Sequence, residues 1–263
     1  MSSPAGASGA RTSRHPVSAV IITMNEAANI GRCLESVRWC DEIVVVDSGS
    51  TDATAEIAAR YGCRVSVRGF TGYGDQKRHA VNQASHEWIL SIDADEVVTP
   101  ALREELCGLL AVKSDVAGVE IPRTMVFLGR EFRHGAEHAA PLLRMFRKTR
   151  GGFTGAAVHE RIDVQGPVTR CNAEMLHYSY VSIEQYLQKF NAYTTAAARM
   201  LRADGKRASA AAVAAAFPIA FFRQYLMKGN FLNGYPGFLW AFLSAAYPVV
   251  KYAKLRELSR SSH

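Results

Sequence analysis

The chain has 263 residues, 48% of them apolar and 21% charged, a composition ordinary for a soluble protein and a length that allows one large or two small domains. Its 31 Lys and Arg residues against 24 Asp and Glu residues give a net charge of +7. Much of the basic excess lies in the last third of the chain, beside apolar segments, which favours an anionic membrane surface over nucleic acid as a partner. A generally basic soluble proteome is the plainer alternative.

The cysteines and the first residues bear on the compartment. The 5 cysteines form no Cys-x-x-Cys pair, and their odd number indicates reduced thiols in a cytoplasmic protein. Residues 1–16 are small and polar and lack the apolar core of a signal peptide. We therefore expect a disordered leader over residues 1–16.

Strands and helices are predicted to alternate from residue 17 onward. The strands are predicted over residues 17–23, 43–46, 64–67 and 88–92. Each is followed by a predicted helix, the first capped by Asn25 and the last begun by Thr99-Pro100. Alternation of this kind predicts an α/β fold with a doubly wound, mostly parallel sheet over residues 17–112.

Beyond residue 113 the pattern changes to short β-like stretches separated by loops that contain Gly and His. These stretches, at residues 118–121, 142–146 and 161–164, predict a mixed-sheet half that carries an acceptor site over residues 113–180. Ser182-Ile183-Glu184-Gln185 is a capping-box pattern and predicts the start of a helix. That helix is expected to bury Ile183, Leu187, Phe190 and Ala197.

Two apolar segments, 208–222 and 238–250, lie near the end of the chain. Both are shorter than the roughly 18–20 apolar residues that a spanning helix needs, and each contains a proline. Flanking basic and aromatic residues favour interfacial or re-entrant helices at a membrane surface, with ordinary core helices as the alternative. We expect residues 181–263 to form a helical, membrane-associating region.

Two acidic turns follow apolar runs, at Ile43–Asp52 and at Trp88–Glu96. An apolar run that stops at carboxylates is typical of a buried parallel strand, and ligands bind at the carboxyl ends of such strands. The carboxylates of the two turns are therefore expected around one crevice. Asp93-Ala94-Asp95 suits a divalent cation, Mg²⁺ or Mn²⁺, that offsets the charge of a leaving diphosphate. Turn or helix-capping aspartates are the structural alternative, which we expect for Asp52.

A glycine-containing loop, Gly72-Tyr73-Gly74, leads into a helix that begins with Asp75-Gln76-Lys77-Arg78. A helix N-terminus with two cations suits a diphosphate, which makes Gln76, Lys77 and Arg78 candidate donor contacts. A solvated helix face is the alternative for the two cations. Arg144 opens a basic stretch that is expected either to contact an anionic acceptor or the donor phosphates, or to form a basic surface strand.

Three segments resemble, in order, the signature set of family 2 glycosyltransferases with the GT-A fold: Thr23-Met24-Asn25-Glu26, Val46–Thr54 and Asp93-Ala94-Asp95. The resemblance implies an inverting enzyme with a nucleotide-sugar donor. It also implies that Asn25 and Glu26 lie beside the base and ribose, with Thr23 a further donor contact. By the same resemblance, Asp47 holds the uracil or ribose, Asp93 contacts the ribose and Asp95 binds the metal.

An inverting transfer needs a general base within hydrogen-bond reach of the acceptor hydroxyl. The Glu-Asp pair that many members of the family use is missing downstream of Asp95. The nearest equivalent is His159-Glu160, in which we expect Glu160 to be the base and His159 to contact phosphate or the metal. Asp163 and Glu137 are competing bases, and an ion pair of Glu160 with a neighbouring arginine is the structural alternative.

The layout of the whole chain resembles the lipopolysaccharide core glucosyltransferases of Gram-negative bacteria, which add a β-linked glucose to the inner-core heptose. The Gln-x-x-Arg-Trp motif of processive synthases is missing, which favours addition of a single sugar. The resemblance implies a UDP-sugar donor, a lipid-linked glycan acceptor and a peripheral position on the cytoplasmic face of the inner membrane. A polyprenyl-phosphate sugar transferase and a non-catalytic carbohydrate-binding protein remain as alternatives.

Overall fold

The structure is a computed structural model that describes residues 14–112, 114–154, 161–180 and 182–260. The strands are β1 (Val17–Thr23), β2 (Glu42–Asp47), β3 (Arg64–Val67), β4 (Trp88–Asp93), β5 (Glu96–Val98), β6 (Gly118–Phe127), β7 (Arg130–Glu131), β8 (Ala140–Arg147), β9 (Gly151–Phe153), β10 (Ile162–Val164), β11 (Val168–Arg170) and β12 (Met175–Tyr180). The helices are α1 (Ile30–Ser36), α2 (Thr54–Arg60), α3 (Tyr73–Gln83), α4 (Pro100–Ala111), α5 (Ile183–Ala203), α6 (Ala210–Phe222) and α7 (Gly234–Arg260). A π-helical turn (Arg223–Met227) and a 3₁₀ turn (Asn230–Asn233) lie between α6 and α7.

The described residues belong to two compact units. The first unit comprises Met1–Pro122 and Pro141–Met175, and the second comprises Arg123–Ala140 and Leu176–His263. The sequence-based division at residue 180 differs from these units, because it leaves residues 123–140 with the acceptor half. In the structure this segment groups with the C-terminal residues because Met125, Phe127 and Phe132 pack with Tyr186 in one buried cluster.

The first unit is built on the predicted sheet, in which β3, β2, β1 and β4 are neighbours in that order and all run parallel. β8 follows β4 and pairs with it in the antiparallel direction. In register, Thr23 lies opposite Asp47, and Ile22 lies opposite Asp93. The carboxyl ends of β1, β2 and β4 therefore meet at one edge, here called the carboxyl edge. The predicted α/β fold with a mostly parallel sheet is confirmed.

The strands of this sheet are apolar on both faces because both faces are covered. Ile21, Val45 and Leu90 belong to a core with α1 and α4, whereas Val20, Val44 and Ile89 belong to a second core with α3. Successive residues of a strand point to opposite faces, so a continuous run of Val and Ile is what two covered faces require. Each of β1, β2 and β4 ends where its run of residues buried on both faces ends.

The residues predicted to cap helices are confirmed for α4 but not for α1. Thr99 caps α4, since its side chain accepts a hydrogen bond from the Leu102 backbone N–H, as predicted. The prediction that Asn25 caps the first helix is wrong, because α1 begins after Asn29 and Asn25 has a different role in the site. Of the residues predicted to form a leader, 1–13 lie outside the described residues, and Arg14 forms an ion pair of 2.8 Å with Asp41.

The second unit has an aromatic core formed by helices and by residues 123–140. Ser182 caps α5 by accepting a hydrogen bond from the Gln185 backbone N–H, which confirms the predicted start of this helix. The predicted buried stripe is confirmed in part: Ile183 and Phe190 pack against the core, but Leu187 is 49% exposed, and the buried residues of α5 are Tyr186, Thr194 and Ala198. A spacing of four along the helix aligns these buried side chains, and Leu187 lies beside that line.

The two predicted apolar segments form helices that continue through their prolines, Pro218 in α6 and Pro248 in α7. Because the π-helical turn continues α6, residues 210–227 form a helix of 18 residues with a mean hydropathy of 1.4, of which 6% is buried. By length and composition it is the one helix among the described residues that is suited to crossing a membrane. The expectation that this segment is too short to span is therefore corrected.

Candidate donor site at the carboxyl edge

Asp47, at the end of β2, holds the first acidic turn in place. It is 1% exposed, and its Oδ1 accepts hydrogen bonds from the backbone N–H groups of Gly49 and Ser50 at 2.9 and 2.7 Å. Its Oδ2 accepts a hydrogen bond of 2.5 Å from the Ser50 hydroxyl. Asp47 thus orders the turn that follows it, at the position where the resemblance implies a donor contact.

The loop after β1 is tied to this turn by a set of backbone and side-chain hydrogen bonds. The Asn25 N–H donates to Ser50 Oγ at 2.8 Å, and Asn25 Oδ1 accepts from the Thr51 N–H at 2.8 Å. Asn25 has a φ of 54°, a left-handed conformation that Asn tolerates better than most residues. The Glu26 N–H donates to Thr54 Oγ1 at 2.9 Å. The two loops therefore form one ordered surface at the carboxyl edge.

Asp52 has the structural role predicted for it. Its carboxylate accepts hydrogen bonds from the N–H and hydroxyl of Thr54, at the start of α2, and from the Ala27 N–H at 3.1 Å. Burial raises the pKa of Asp52, but these hydrogen bonds outweigh burial and hold the pKa below its usual value. Asp52 therefore joins the loop after β1 to the helix after β2.

Asp93, at the end of β4, is held by two cations. Its Oδ1 lies 3.0 Å from Lys77 Nζ, and its Oδ2 accepts a hydrogen bond of 2.8 Å from Arg144. Lys77 is 7% exposed and Arg144 is 6% exposed, so neither forms the solvated surface that the sequence left open as an alternative. Burial opposes ionisation of Asp93, but the Arg144 guanidinium and the Lys77 ammonium hold its pKa well below the usual range.

Glu96 completes this arrangement, and the sequence reasoning did not single it out. The side chain is fully buried, its Oε1 accepts a hydrogen bond of 2.5 Å from Arg144, and its Oε2 accepts one of 2.9 Å from the Asp93 N–H. We call Lys77, Asp93, Glu96 and Arg144 the charge cluster. The signal that could have revealed Glu96 is its place at the start of a short apolar strand, where a carboxylate requires a buried cation.

Gln76 and Arg78 lie beside the charge cluster on α3. Gln76 is fully buried and donates to Ser48 Oγ at 3.1 Å and to the Arg68 carbonyl at 2.8 Å. Arg78 donates to the Thr154 carbonyl at 2.9 Å. Hydrogen bonds from Thr71 and Arg68 lower the pKa of Asp75, in the first turn of α3, to about 2. The N-terminal turn of α3 is therefore ordered by its own contacts.

Two buried polar atoms of the predicted site residues have no partner among the described residues. They are Thr23 Oγ1, at the end of β1, and Arg144 Nε, in the charge cluster. A buried polar atom without a hydrogen bond costs free energy unless a ligand or a water molecule satisfies it. Trp39 Nε1 and Trp88 Nε1 share this feature, so for Thr23 and Arg144 it shows only that each atom has room for one further hydrogen bond.

Asp95 lies in the turn between β4 and β5 and is half-buried. The described residues contain no group of three or more His, Cys, Asp or Glu side chains suited to a metal ion. Mg²⁺ at phosphate sites is commonly held by one or two carboxylates, with substrate phosphates and water as its other ligands. The donor set at Asp95 therefore fits a cation shared with a diphosphate rather than a closed structural metal site.

The predicted base and second metal contact, Glu160 and His159, lie outside the described residues. Of the competing bases, Asp163 lies exposed on β10. Glu137 belongs to the second unit, where its carboxylate accepts hydrogen bonds from Gln224 and Trp240 at 2.5 and 3.0 Å. Glu137 thus has a structural role in the core of that unit.

Comparison with known proteins identifies the family. Residues 18–171 match the model of glycosyl transferase family 2. The chain is 34% identical to the lipopolysaccharide core biosynthesis glycosyltransferase LpsC of Rhizobium meliloti (strain 1021), over 91% of this chain and 92% of that protein. It is 32% identical to an uncharacterized glycosyltransferase of Rickettsia bellii (strain RML369-C), over 92% of this chain and 87% of that protein.

Among solved structures, the chain is similar in part to glucosyl-3-phosphoglycerate synthase from Mycobacterium tuberculosis in complex with Mn²⁺, UDP and glucosyl-3-phosphoglycerate. The identity is 25% over 43% of this chain and 44% of that chain, with a TM-score of 0.36, which is too low to bear on the ligands of this chain. The family match, by contrast, spans the carboxyl edge from Thr23 to Arg144, and the curated relatives align along most of the chain. The chain therefore belongs to the family 2 glycosyltransferases and is an enzyme related to a lipopolysaccharide core glycosyltransferase.

Proposed function

We propose that this enzyme is a metal-dependent, inverting glycosyltransferase that moves a single glucose from UDP-glucose to a lipid-linked acceptor, the heptose of the lipopolysaccharide inner core. The observation that carries the proposal is the position of two carboxylates at the carboxyl edge. Asp93, at the end of β4, has both of its oxygens paired with cations, and Asp95, two residues further on, lies half-buried in the turn that follows. Asp93 is thereby fixed as a rigid contact for the ribose, and Asp95 is the carboxylate proposed to hold Mg²⁺ or Mn²⁺.

The charge cluster supports the proposal that a cation takes part. Its two cations, Lys77 and Arg144, are already paired with Asp93 and Glu96, so the cluster adds little net positive charge. A leaving nucleoside diphosphate carries negative charge that these paired side chains do not neutralise. A divalent cation at Asp95, when bound, supplies that charge.

The residues around the cluster are proposed to position the donor. Asn25, Glu26, Asp47 and Thr23 surround the base and ribose, and Arg144 Nε offers a donor that no described residue accepts. Gln76, Lys77 and Arg78 place the first turn of α3 beside the diphosphate. Their hydrogen bonds within the first unit fix these side chains before the donor arrives, which limits the entropy lost on binding.

In the transfer step, the acceptor hydroxyl attacks the anomeric carbon from the face opposite the nucleotide. The bond between that carbon and the diphosphate oxygen breaks, and its electron pair leaves with UDP. Glu160 is proposed to accept the hydroxyl proton, with His159 beside the phosphate or metal. The product is a glucoside with the opposite anomeric configuration.

The acceptor proposal rests on the relationship to LpsC and on the second unit. LpsC is a lipopolysaccharide core biosynthesis glycosyltransferase. Exposed apolar residues on α6 and its continuation support a position at the cytoplasmic face of the inner membrane, where a lipid-linked acceptor lies. A polyprenyl-phosphate sugar transferase shares the donor half, and it is distinguished by a lipid-phosphate product.

A thermal-shift panel with UDP-, GDP-, ADP- and dTDP-sugars, each with and without Mn²⁺, tests the donor and the metal. A ligand at 100 times its Kd stabilises a protein by about 2.7 kcal/mol, or roughly 5–10 °C for a chain of this size. We expect this shift with UDP-glucose only when Mn²⁺ or Mg²⁺ is present, and we expect Asp95→Asn to remove it. A shift confined to ADP- or GDP-sugars would overturn the donor, and an equal shift without metal would overturn the role of Asp95.

A further inference from the structure

The second unit contains a cavity of about 390 Å³ that has no role in the proposed transfer reaction. Half of the residues that line it are aromatic, among them Tyr186 and Phe190 from α5 and Trp240 and Tyr247 from α7. Gln224 and Ser244 add polar groups, and no Asp or Glu side chain among the described residues lines the cavity. The cavity is therefore rich in aromatic rings and has no carboxylate in its lining.

Two cations line this cavity. They are Arg223, in the π-helical turn, and Lys251, in α7. Lys251 Nζ lies 5.9 Å from the ring centroid of Tyr247 and 4.6 Å from that of Tyr252. Within the described part of the chain, neither side chain forms an ion pair or a hydrogen bond. Both charges are therefore available to a ligand.

Other cations of the same helices are already occupied, which sets these two apart. Lys254, one turn after Lys251, donates hydrogen bonds to Asn191 and Thr194 at 2.7 and 2.9 Å. Arg256 donates to the Ala208 carbonyl at 2.9 Å. Arg223 and Lys251 differ from Lys254 and Arg256 in that no hydrogen bond or ion pair with a described residue occupies them, and an anion is the ligand that they suit.

The helix that borders the cavity also has an exposed apolar face. Ile219, Phe222 and Leu226 are 66%, 56% and 48% exposed, and their spacing of three and four places them on one face. Ala220 and Arg223, adjacent to them in the chain, line the cavity. One helix thus combines an apolar surface with a cation at an aromatic cavity, and this combination matches an amphiphile.

We propose that the cavity binds the phosphate of an anionic membrane lipid, with Arg223 and Lys251 on the phosphate and the exposed face of α6 among the acyl chains. Arg is the cation best suited to phosphate, and Lys251 adds a second positive charge over aromatic rings. A soluble phosphate would use the two cations but leave Ile219, Phe222 and Leu226 exposed. The lipid accounts for both features, and this role goes beyond the transfer reaction.

Vesicle co-flotation of the full chain tests the proposal, with vesicles of phosphatidylglycerol and phosphatidylcholine compared with phosphatidylcholine alone. The double variant Arg223→Gln/Lys251→Gln is expected to lose about thirtyfold in affinity for the anionic vesicles, because each basic contact with an anionic surface contributes about a fivefold factor. The matched control is Arg199→Gln/Lys206→Gln, which removes the same charge from exposed positions outside the cavity. We expect the control to lose less than about threefold, since distant exposed charges are screened.

Three outcomes would overturn the proposal. The first is an equal loss in the cavity variant and the control, which would show unspecific attraction of a basic protein. The second is displacement from anionic vesicles by inorganic phosphate, beyond the effect of sodium chloride at the same ionic strength, which would identify a site for soluble anions. The third is full binding by the cavity variant.

Two further measurements separate this result from folding and from donor binding. The variant Arg223→Lys/Lys251→Arg keeps both charges and is expected to bind anionic vesicles within about threefold of the original chain. This variant is used to test the proposal if the Gln variant does not fold. The thermal shift with UDP-glucose and Mn²⁺ is expected to be the same in the cavity variant as in the original chain. Loss of vesicle binding with that shift retained supports the lipid site whether or not the proposed transfer is correct.

Discussion

The two units of this enzyme arrange their charges in opposite ways. In the first unit, Lys77 and Arg144 are paired with Asp93 and Glu96, and the carboxyl edge is ordered by hydrogen bonds among its own residues. In the second unit, Arg223 and Lys251 line an aromatic cavity without a carboxylate partner. Paired charges fix geometry, whereas unpaired ones attract a ligand of opposite charge. The difference fits a unit that positions a reaction and a unit that recruits an anionic surface.

The chain offers a probe for each unit. Its 3 tryptophans are Trp39 and Trp88, which belong to the first unit, and Trp240, which belongs to the second. Trp88 and Trp240 contribute to different hydrophobic cores. Fluorine-labelled tryptophan therefore reports on the two units separately by NMR.

The largest effect is expected from Glu160→Gln, with Glu137→Gln as its counterpart in the second unit. Removal of a general base costs about 10²- to 10⁴-fold in rate, so Glu160→Gln is expected to abolish transfer while the thermal shift with UDP-glucose is retained. Glu137→Gln is expected to affect stability more than kcat, because its carboxylate is held by Gln224 and Trp240. Steady-state kinetics at saturating donor distinguish the two. Full turnover by Glu160→Gln would show that Glu160 is not the general base. Asp163 and Glu137 would then be the remaining candidates for that role.

The charge cluster predicts a large loss of stability in Glu96→Gln. The substitution leaves Arg144 buried with one counter-charge fewer, and breaking a buried ion pair costs about 3–5 kcal/mol. Urea unfolding should show this loss in the signals of Trp39 and Trp88. The control is Glu35→Gln, which removes an exposed partner of Arg38 and should change the free energy of unfolding by less than about 1 kcal/mol. Similar small losses in both variants would mean that the cluster does not stabilise the first unit.

Acid should unfold the first unit before the second. The pKa values of Asp41, Glu42, Asp52 and Asp93, all in the first unit, are held below their usual values. A carboxylate with a lowered pKa in the folded state stabilises the fold above its unfolded pKa, near 4, and that stabilisation is lost as the pH falls further. Between about pH 5 and pH 2 we expect the signals of Trp39 and Trp88 to change before that of Trp240. Simultaneous loss of all three signals would contradict this order.

The smallest effect is expected from removing helix caps in the second unit. Ser182 and Ser209 accept hydrogen bonds of 3.1 and 3.0 Å from the backbone N–H groups at the starts of α5 and α6. Loss of such a cap costs about 1 kcal/mol. Ser182→Ala should lower the stability reported by Trp240, because α5 packs into the core of that unit. Ser209→Ala should fray α6 without a comparable change at Trp240, because α6 has no buried residue. Equal changes would show that α6 unfolds together with the core.

Strands in the first unit could be predicted because their signals are local. The run of β-branched residues at Val17–Thr23 and the short strand Arg64–Val67 have the predicted bounds, and Thr99 caps its helix as expected. These features depend on residues close together in the chain. Local sequence therefore determines where the carboxyl edge lies.

Features that depend on distant partners could not be predicted. Glu96 can be buried because it pairs with Arg144, which lies 48 residues further along the chain. No local sequence pattern indicates that pairing. Similarly, Leu187 is exposed although it is apolar, because the aromatic core packs against the face of α5 that carries Tyr186. The roles proposed for Glu160 and His159 rest on sequence alone, since both lie outside the described residues.

The hydrogen bonds between the loop after β1 and the turn after β2 have a consequence for conformational entropy. Asn25 adopts its left-handed conformation, and Glu26, Ala27, Ser50 and Thr51 take part in hydrogen bonds that join the two loops. These bonds lie within the chain, so the entropy cost of ordering the loops is offset by folding. A substitution that loosens the loops, such as Asn25→Ala, would transfer this entropy cost to the binding step, so that donor affinity falls even if no direct contact with the nucleotide is lost.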